Sequence, residues 1–148
     1  MNEEKPLGAE IRQTNNLIKA YIDRTLESQL RERLTGIEGM TLGYIFRHQG
    51  EEIVAKDIME RSRTSKATTS QTLSGLEKKG YIQMQPSRSD KRKKVITLTD
   101  KGLQVEAEFK EIFIGISLKV KEGVTPEEEE TVRNVLKKIR ANVREEDK

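Results

Sequence analysis

Cysteine is absent from this 148-residue chain, tryptophan is absent too, and histidine occurs once, as His48. Without cysteine there are no disulfides, no thiolate zinc sites and no cysteine-based redox sensing. A lone histidine near a helix end reads as a cap or a surface group rather than a metal ligand, so no metal site is expected. Aromatic residues make up 4% of the chain and hydrophobic residues 33%, against 36% charged. A monomer of that composition has a thin core, and burying helices against a second subunit makes up such a deficit. No apolar run approaches the ~18 residues that cross a bilayer, so no membrane partner is expected. The first residues, Met1 to Pro6, have no apolar stretch, so no signal peptide is expected either. A soluble, cytoplasmic protein is the reading. No nucleophile–base pair, phosphate loop or metal-ligand spacing is visible, so neither an enzyme nor a resident cofactor is expected.

What the chain does have is charge, and it is unevenly placed. The net charge is +3, yet residues 53–95 hold eleven Lys or Arg against four Asp or Glu, a net of +7. The remainder therefore carries 3 − 7 = −4. Cations gathered on one module of an otherwise acidic chain mark a polyanion binder.

Taken in order, Ala9 to Arg33 reads as a long helix. Ile11, Leu17, Ile18, Tyr21, Ile22, Leu26, Leu30 and Leu34 recur at mostly three- and four-residue steps. Gly36 and Gly39 are expected to break the chain before a helix from Glu38 to His48 that turns Met40, Tyr44 and Ile45 inward. Glu51 and Glu52 sit where the next helix is expected to begin, which suits the helix dipole. Ile53 and Val54 read as a brief strand edge. Ala55, Ile58 and Met59 form the buried side of a short helix ending near Ser62. Ser65 caps a polar helix that runs to Lys79, with Thr69, Thr72, Leu73 and Leu76 inside. Tyr81 to Pro86 and Val95 to Leu98 are strands, with Pro86 marking the first strand's exit. Thr99 caps a helix from Asp100 to about Lys121. Thr125-Pro126-x-Glu128 starts a last helix striped by Val132, Val135, Leu136, Ile139 and Val143. The fold class is mainly α with a small β-hairpin wing: a winged helix-turn-helix in one domain, 1–148. Residues 51–102 form the reading module, and 9–34 and 103–146 are the dimerisation helices.

Two readers of nucleic acid lie within thirty residues of each other. Ser65 and the first amides of its helix suit a phosphate, and Lys66 and Ser70 share its outer face. Gln71 can pair bidentately with adenine, and the Thr68 methyl can touch a thymine methyl. In the loop, Arg92 suits the minor groove, because a guanidinium is planar and weakly hydrated. Asp90, two residues earlier, is placed to hold it. Arg88, Lys91, Lys93 and Lys94 suit phosphates. A winged helix can also serve as a protein-interaction module without DNA, but the +4 net charge of residues 87–95 argues for the polyanion.

The run Ser89-Asp90-Lys91-Arg92-Lys93-Lys94-Val95-Ile96-Thr97-Leu98-Thr99-Asp100-Lys101-Gly102 resembles the signature of the multiple-antibiotic-resistance regulator (MarR) family, Asp-x-Arg in the wing followed by Leu-Thr-x-x-Gly. Leu76-Glu77-Lys78-Lys79-Gly80-Tyr81-Ile82 is similar to the family's Leu-Glu-x-x-Gly-hydrophobic-Ile. The resemblance implies a homodimer that binds a palindromic operator in double-stranded DNA. It implies repression of nearby genes until a small phenolic or anionic effector loosens it. Gln71 stands where many relatives have Arg, and Thr72 where many have Leu, which implies a different base preference. By position in the family's ligand cleft, the resemblance points to Ile18, Tyr21, Tyr44 and Arg47 as effector-binding residues.

Overall fold

A computed structural model describes residues 4–144. Within them the order is α1 (Leu7–Gln29), α2 (Gly36–Arg47), α3 (Ala55–Ser62), α4 (Lys66–Lys78), β1 (Ile82–Pro86), β2 (Lys94–Leu98), α5 (Asp100–Val120) and α6 (Pro126–Val143). β1 and β2 pair antiparallel, with Met84 opposite Ile96 and Pro86 opposite Lys94. This is the expected winged helix-turn-helix, mostly helical with one hairpin.

The chain divides into two units, one up to Ile116 and one from Ser117. The first holds the core. Leu42, Ile45, Leu76, Tyr81, Ile82 and Ile96 are almost fully enclosed. Leu26 from the end of α1, Leu30 just past it, Ile58 from α3, Leu73 from α4, and Val105 and Phe109 from α5 pack around them. The inner face read for α4 holds, since Thr69, Thr72, Leu73 and Leu76 are all buried. Both threonines are suited to that place because their hydroxyls are bonded: Thr72 Oγ1 donates to the Thr68 carbonyl at 2.9 Å and Thr69 Oγ1 meets Thr64 Oγ1 at 2.8 Å.

The break between α1 and α2 falls elsewhere than the glycines suggest. α1 stops at Gln29, where Leu30 turns extended. α2 begins at Gly36, because Thr35 and Glu38 form a capping box: Thr35 Oγ1 accepts from the Glu38 amide at 3.2 Å and Glu38 Oε1 accepts from the Thr35 amide at 3.0 Å. Gly39 therefore lies inside the helix and serves packing instead. A Cβ there would stand 2.2 Å from the Phe109 ring. Two other inner-face readings are corrected. Met40 is exposed and Leu42 takes the core position, and Ala55 at the start of α3 is exposed. Nor do Glu51 and Glu52 start α3; Asp57 caps it, its carboxylate accepting from the Val54 amide at 2.9 Å. Ile53 does meet the hairpin edge, through one bond from the Ile96 amide to its carbonyl at 2.8 Å.

The signature Leu98-Thr99-x-x-Gly102 has a mechanical meaning. Thr99 Oγ1 donates to the Gly80 carbonyl at 2.6 Å and accepts from the Gly102 amide at 3.0 Å, so one hydroxyl ties the hairpin to the first turn of α5. At Gly102 a Cβ would lie 2.0 Å from the Tyr81 carbonyl oxygen, so only glycine lets the two backbones approach.

In the second unit, α6 starts as read. Thr125 and Glu128 form a capping box with Pro126 in the first turn. Its apolar residues Val132, Val135 and Val143 are exposed. No described helix is long and apolar enough to cross a membrane.

Candidate nucleic-acid interface

The helix-turn-helix is α3, a tight turn, and α4. The turn closes on Arg63 in the left-handed region, φ 50°. Ser65 then caps α4, its Oγ accepting from the Thr68 amide at 3.1 Å and donating to Thr68 Oγ1 at 3.0 Å. At its other end α4 is anchored by an ion pair between a half-buried lysine and an enclosed carboxylate. Lys79 Nζ lies 2.8 Å from Glu38 Oε1, with Glu38 almost wholly enclosed, and the same ammonium donates to the Arg33 carbonyl at 3.0 Å. Glu38 thus caps α2 with one oxygen and holds the C-terminal end of α4 with both. An enclosed carboxylate is tolerable only with partners of this kind.

With its inner face buried and both ends pinned, α4 turns Lys66, Ser70, Gln71 and Ser74 to solvent. Thr68 is half-buried, its hydroxyl already engaged by Ser65.

The hairpin presents the cations. Arg88, Lys91, Arg92, Lys93 and Lys94 are all exposed, none folded against the body. Asp90 does hold Arg92. Its Oδ1 accepts from the Arg92 amide at 3.1 Å and from Arg92 Nε at 3.2 Å, while the Arg92 side chain stays 92% exposed. That leaves the outer guanidinium nitrogens facing solvent from a braced stem. A like-charged cluster fully open to solvent costs little when alone and gains strongly beside phosphates.

One participant escaped sequence reasoning. Ser87, at the exit of β1, is buried, and its Oγ donates to the Glu52 carboxylate at 3.0 Å and 3.1 Å. It also accepts from the Ser89 amide at 3.2 Å and the Asp90 amide at 3.4 Å. The Ser87 amide donates to the Lys93 carbonyl at 2.8 Å, closing the loop at its base. A serine followed by polar residues after a strand is the only local signal, and it does not name Glu52.

The four effector candidates are dispersed. Ile18 lines a groove of about 1020 Å³ along α1 and the start of α2, with Ile22, Leu26 and Ile37 as apolar walls and a balanced set of charges, Lys19, Arg31 and Arg33 against Asp23, Glu27 and Glu32. Arg47 lines a separate groove of about 190 Å³ between α2 and α5, beside Glu106, Phe109 and Phe113. Tyr21 and Tyr44 line neither; Tyr44 packs its ring 4.3 Å from that of His48. His48 meets Glu51 at 3.1 Å at the C-cap of α2. Among the described residues no cluster of His, Asp and Glu could hold a metal ion.

Two buried titratable groups flank this module. Burial, a hydrogen bond to Glu32 at 3.0 Å and the nearby carboxylates push the Tyr81 hydroxyl up to about 12, so it stays a donor. Burial also raises the Glu106 carboxyl above the ordinary carboxylate range, and the charges of Lys110 and Arg47 offset only part of that.

A polar helix pinned on a helix-turn-helix beside an exposed cationic hairpin defines a winged-helix DNA-binding regulator. Residues 34–93 match the model of the MarR family. Along its length the chain is similar to the S. aureus MepR–DNA complex, with 27% identity, TM-score 0.86, and 95% of this chain and 100% of that one covered. It is also similar to the heme sensor protein PefR from Streptococcus agalactiae in complex with heme, at 29% identity and TM-score 0.68, with 95% of each chain covered. BpsR of Bordetella bronchiseptica, whose DNA binding is regulated by 6-hydroxynicotinic acid, shares the fold at 20% identity and TM-score 0.81, with 94% of this chain and 96% of that one covered. The MarR-family match thus spans the helix-turn-helix and the wing, and along its length the chain has the fold of the winged-helix regulators MepR and PefR.

Proposed function

We propose that this protein is a cytoplasmic homodimeric repressor that binds a palindromic operator in double-stranded DNA and is released by a small effector. The observation that carries the reading is the braced Arg92 among exposed cations, beside the exposed polar face of α4. In this reading Ser65 and Lys66 take phosphate at the start of α4, and Thr68, Ser70 and Gln71 meet base edges. Arg92, held by Asp90, enters the minor groove, and Arg88, Lys91, Lys93 and Lys94 take phosphates. In the same reading the exposed apolar residues of α1 and α6 supply the dimer contacts, within the expected dimerisation helices 9–34 and 103–146, of which residues 145 and 146 lie outside the described residues. Support for DNA binding comes from MepR, which is similar over 95% of this chain and was crystallised in complex with DNA.

PefR takes heme and BpsR answers to 6-hydroxynicotinic acid, so regulation by a small molecule has support in the fold. We assign this chain a phenolic or anionic effector and no resident cofactor. Of the two grooves, the one beside Ile18 has the room and the apolar walls for such a ligand, and Lys19, Arg31 and Arg33 line it together with Asp23, Glu27 and Glu32. Tyr21, Tyr44 and Arg47 contribute only if that region rearranges. The effector would favour a dimer whose two α4 helices are wrongly spaced for half-sites about 34 Å apart.

The test is selection of binding sequences from a random duplex pool. Enrichment of an inverted repeat with one helical turn between half-site centres, bound by two chains, is expected. Failure to enrich any sequence would sink the operator reading. Titration of salicylate and other phenolic acids into the selected complex tests release, and an unmoved affinity would overturn the effector class.

A further inference from the structure

The wing is the most exposed feature of the DNA-reading module, yet it is tied to the chain that precedes the helix-turn-helix. Glu52 and Ser87 are 35 positions apart and meet through two contacts of 3.0 Å and 3.1 Å. Ser87 is only 3% exposed, although it opens a loop in which residues 91–94 are all open to solvent. Its hydroxyl donates to Glu52 and accepts from the amides of Ser89 and Asp90. Asp90 in turn receives the Arg92 amide and Nε. A continuous chain of bonds therefore runs from Glu52 through Ser87 and Asp90 to the guanidinium. The next residue, Ile53, takes the Ile96 amide on its carbonyl at 2.8 Å, so the same short segment holds both β2 and the residue that follows β1.

Electrostatics alone argues against Glu52 in this place. A carboxylate at the root of a cationic loop opposes the approach of phosphates. Its place there makes sense if its acceptor oxygens organise the loop.

We propose that Glu52 and Ser87 are positioning residues for Arg92, fixing where the wing enters the DNA relative to α4. The proposal rests on the reading of Arg92 as a minor-groove contact. Neither residue touches DNA itself. Both act through Asp90 and the loop backbone, so their loss frees the wing without unfolding the core. The two hypotheses for Glu52 differ in sign: removing an unhelpful charge tightens binding, whereas removing a brace weakens it.

The experiment measures fluorescence anisotropy with two labelled duplexes, one with a central A-tract and one all G·C. Arginine in a narrow minor groove favours the A-tract. Ser87→Ala and Glu52→Ala should each lower affinity for the A-tract duplex about fivefold, the scale of one ordinary hydrogen bond. The loss on the G·C duplex should be smaller. Glu52→Gln keeps an acceptor for Ser87 without the charge and should restore the A-tract preference. Adding Ser87→Ala to Arg92→Ala should cost nothing further, since both act on one contact. Thermal unfolding checks that each variant folds, and Glu52, being at the surface, keeps the test open if Ser87→Ala does not.

Tighter binding by Glu52→Ala, or additive losses in the double variant, would overturn the proposal. If Arg92→Ala alone loses no affinity, the minor-groove reading itself fails. That result is distinct from failure of the brace, in which Arg92→Ala weakens binding and the two bracing variants do not.

Discussion

At Arg92 a single side chain carries both a structural contact and the proposed reading of DNA. Arg92→Ala should weaken duplex binding and make the slope of log K against log salt shallower by about 0.9 if the guanidinium neutralises one phosphate. Titrations across salt concentrations measure both, and an unchanged affinity and slope would remove the wing from the interface. The residue-level prediction at Glu106 concerns stability. Its folded-state pKa is raised above the unfolded value, chiefly by burial. Its contribution is therefore most favourable when it is protonated, below the unfolded pKa, and that advantage is lost as pH rises through the folded value. Glu106→Gln should raise the melting temperature at neutral pH, and the gain should shrink toward about pH 4. A gain that is flat with pH would mean the carboxylate is not what burdens the fold. Of these two residues, only Arg92 was legible. The triplet Asp90-Lys91-Arg92 lies within local reach, whereas Glu106 reads as one more helix-surface acid until α2 is packed against it.

Among the elements, the caps decide where helices begin, and they were read unequally. Thr125-Pro126-x-Glu128 was recognised because proline and the acidic run advertise it. Thr35-x-x-Glu38 has the same chemistry, but Gly36 and Gly39 give the stronger local signal, and it is one for a break. Thr35→Ala should cost about 1 kcal/mol of stability, the usual loss for a cap, read as a shift in the denaturation midpoint at constant slope. A larger loss is expected for Glu38→Ala, about 2 kcal/mol, because it strips the cap and also the hydrogen bonds to the half-buried Lys79. Equal losses for the two would mean the Glu38–Lys79 pair contributes nothing. Arg63 shows the opposite failure. It closes the turn at φ 50°, a conformation that glycine takes without strain, but no glycine is there to announce it. At Gly102 the motif was read correctly and its cause was not. The glycine is needed because the Tyr81 carbonyl passes within 2.0 Å of where a Cβ would stand. Gly102→Ala should destabilise by about 2 kcal/mol as the hairpin and α5 are forced apart.

For the molecule as a whole, the apolar residues left outside the core bear on assembly. Leu7 and Leu17 on α1, Ile114 and Leu118 on α5, and Val132, Val135 and Val143 on α6 are all exposed. Stripes of that kind at both ends of a chain with a thin core are what a second subunit covers. Val132→Glu combined with Val135→Glu should turn a dimer into monomers in analytical ultracentrifugation and should weaken DNA binding by far more than either wing variant. A double variant that sediments as the parent does would show that α6 is not part of the interface.

What the sequence by itself determined is the succession of elements and the chemistry of their surfaces. Helical and strand periodicities, the Ser65 and Thr125 caps, and the run of cations after Pro86 depend on neighbours a few positions apart, and the chain spells these out. Only the tertiary structure decided which distant partners meet. Glu38 finds Lys79 across 41 residues, Gly39 accepts the Phe109 ring, and Glu52 reaches Ser87 at the root of the wing. The effector candidates were drawn from a shared position in a family, and the fold set Ile18 and Arg47 on different grooves. The physical reason is one of range. Local conformation answers to adjacent residues, while burial and pairing answer to how whole helices pack, and no spacing in the chain encodes that packing directly.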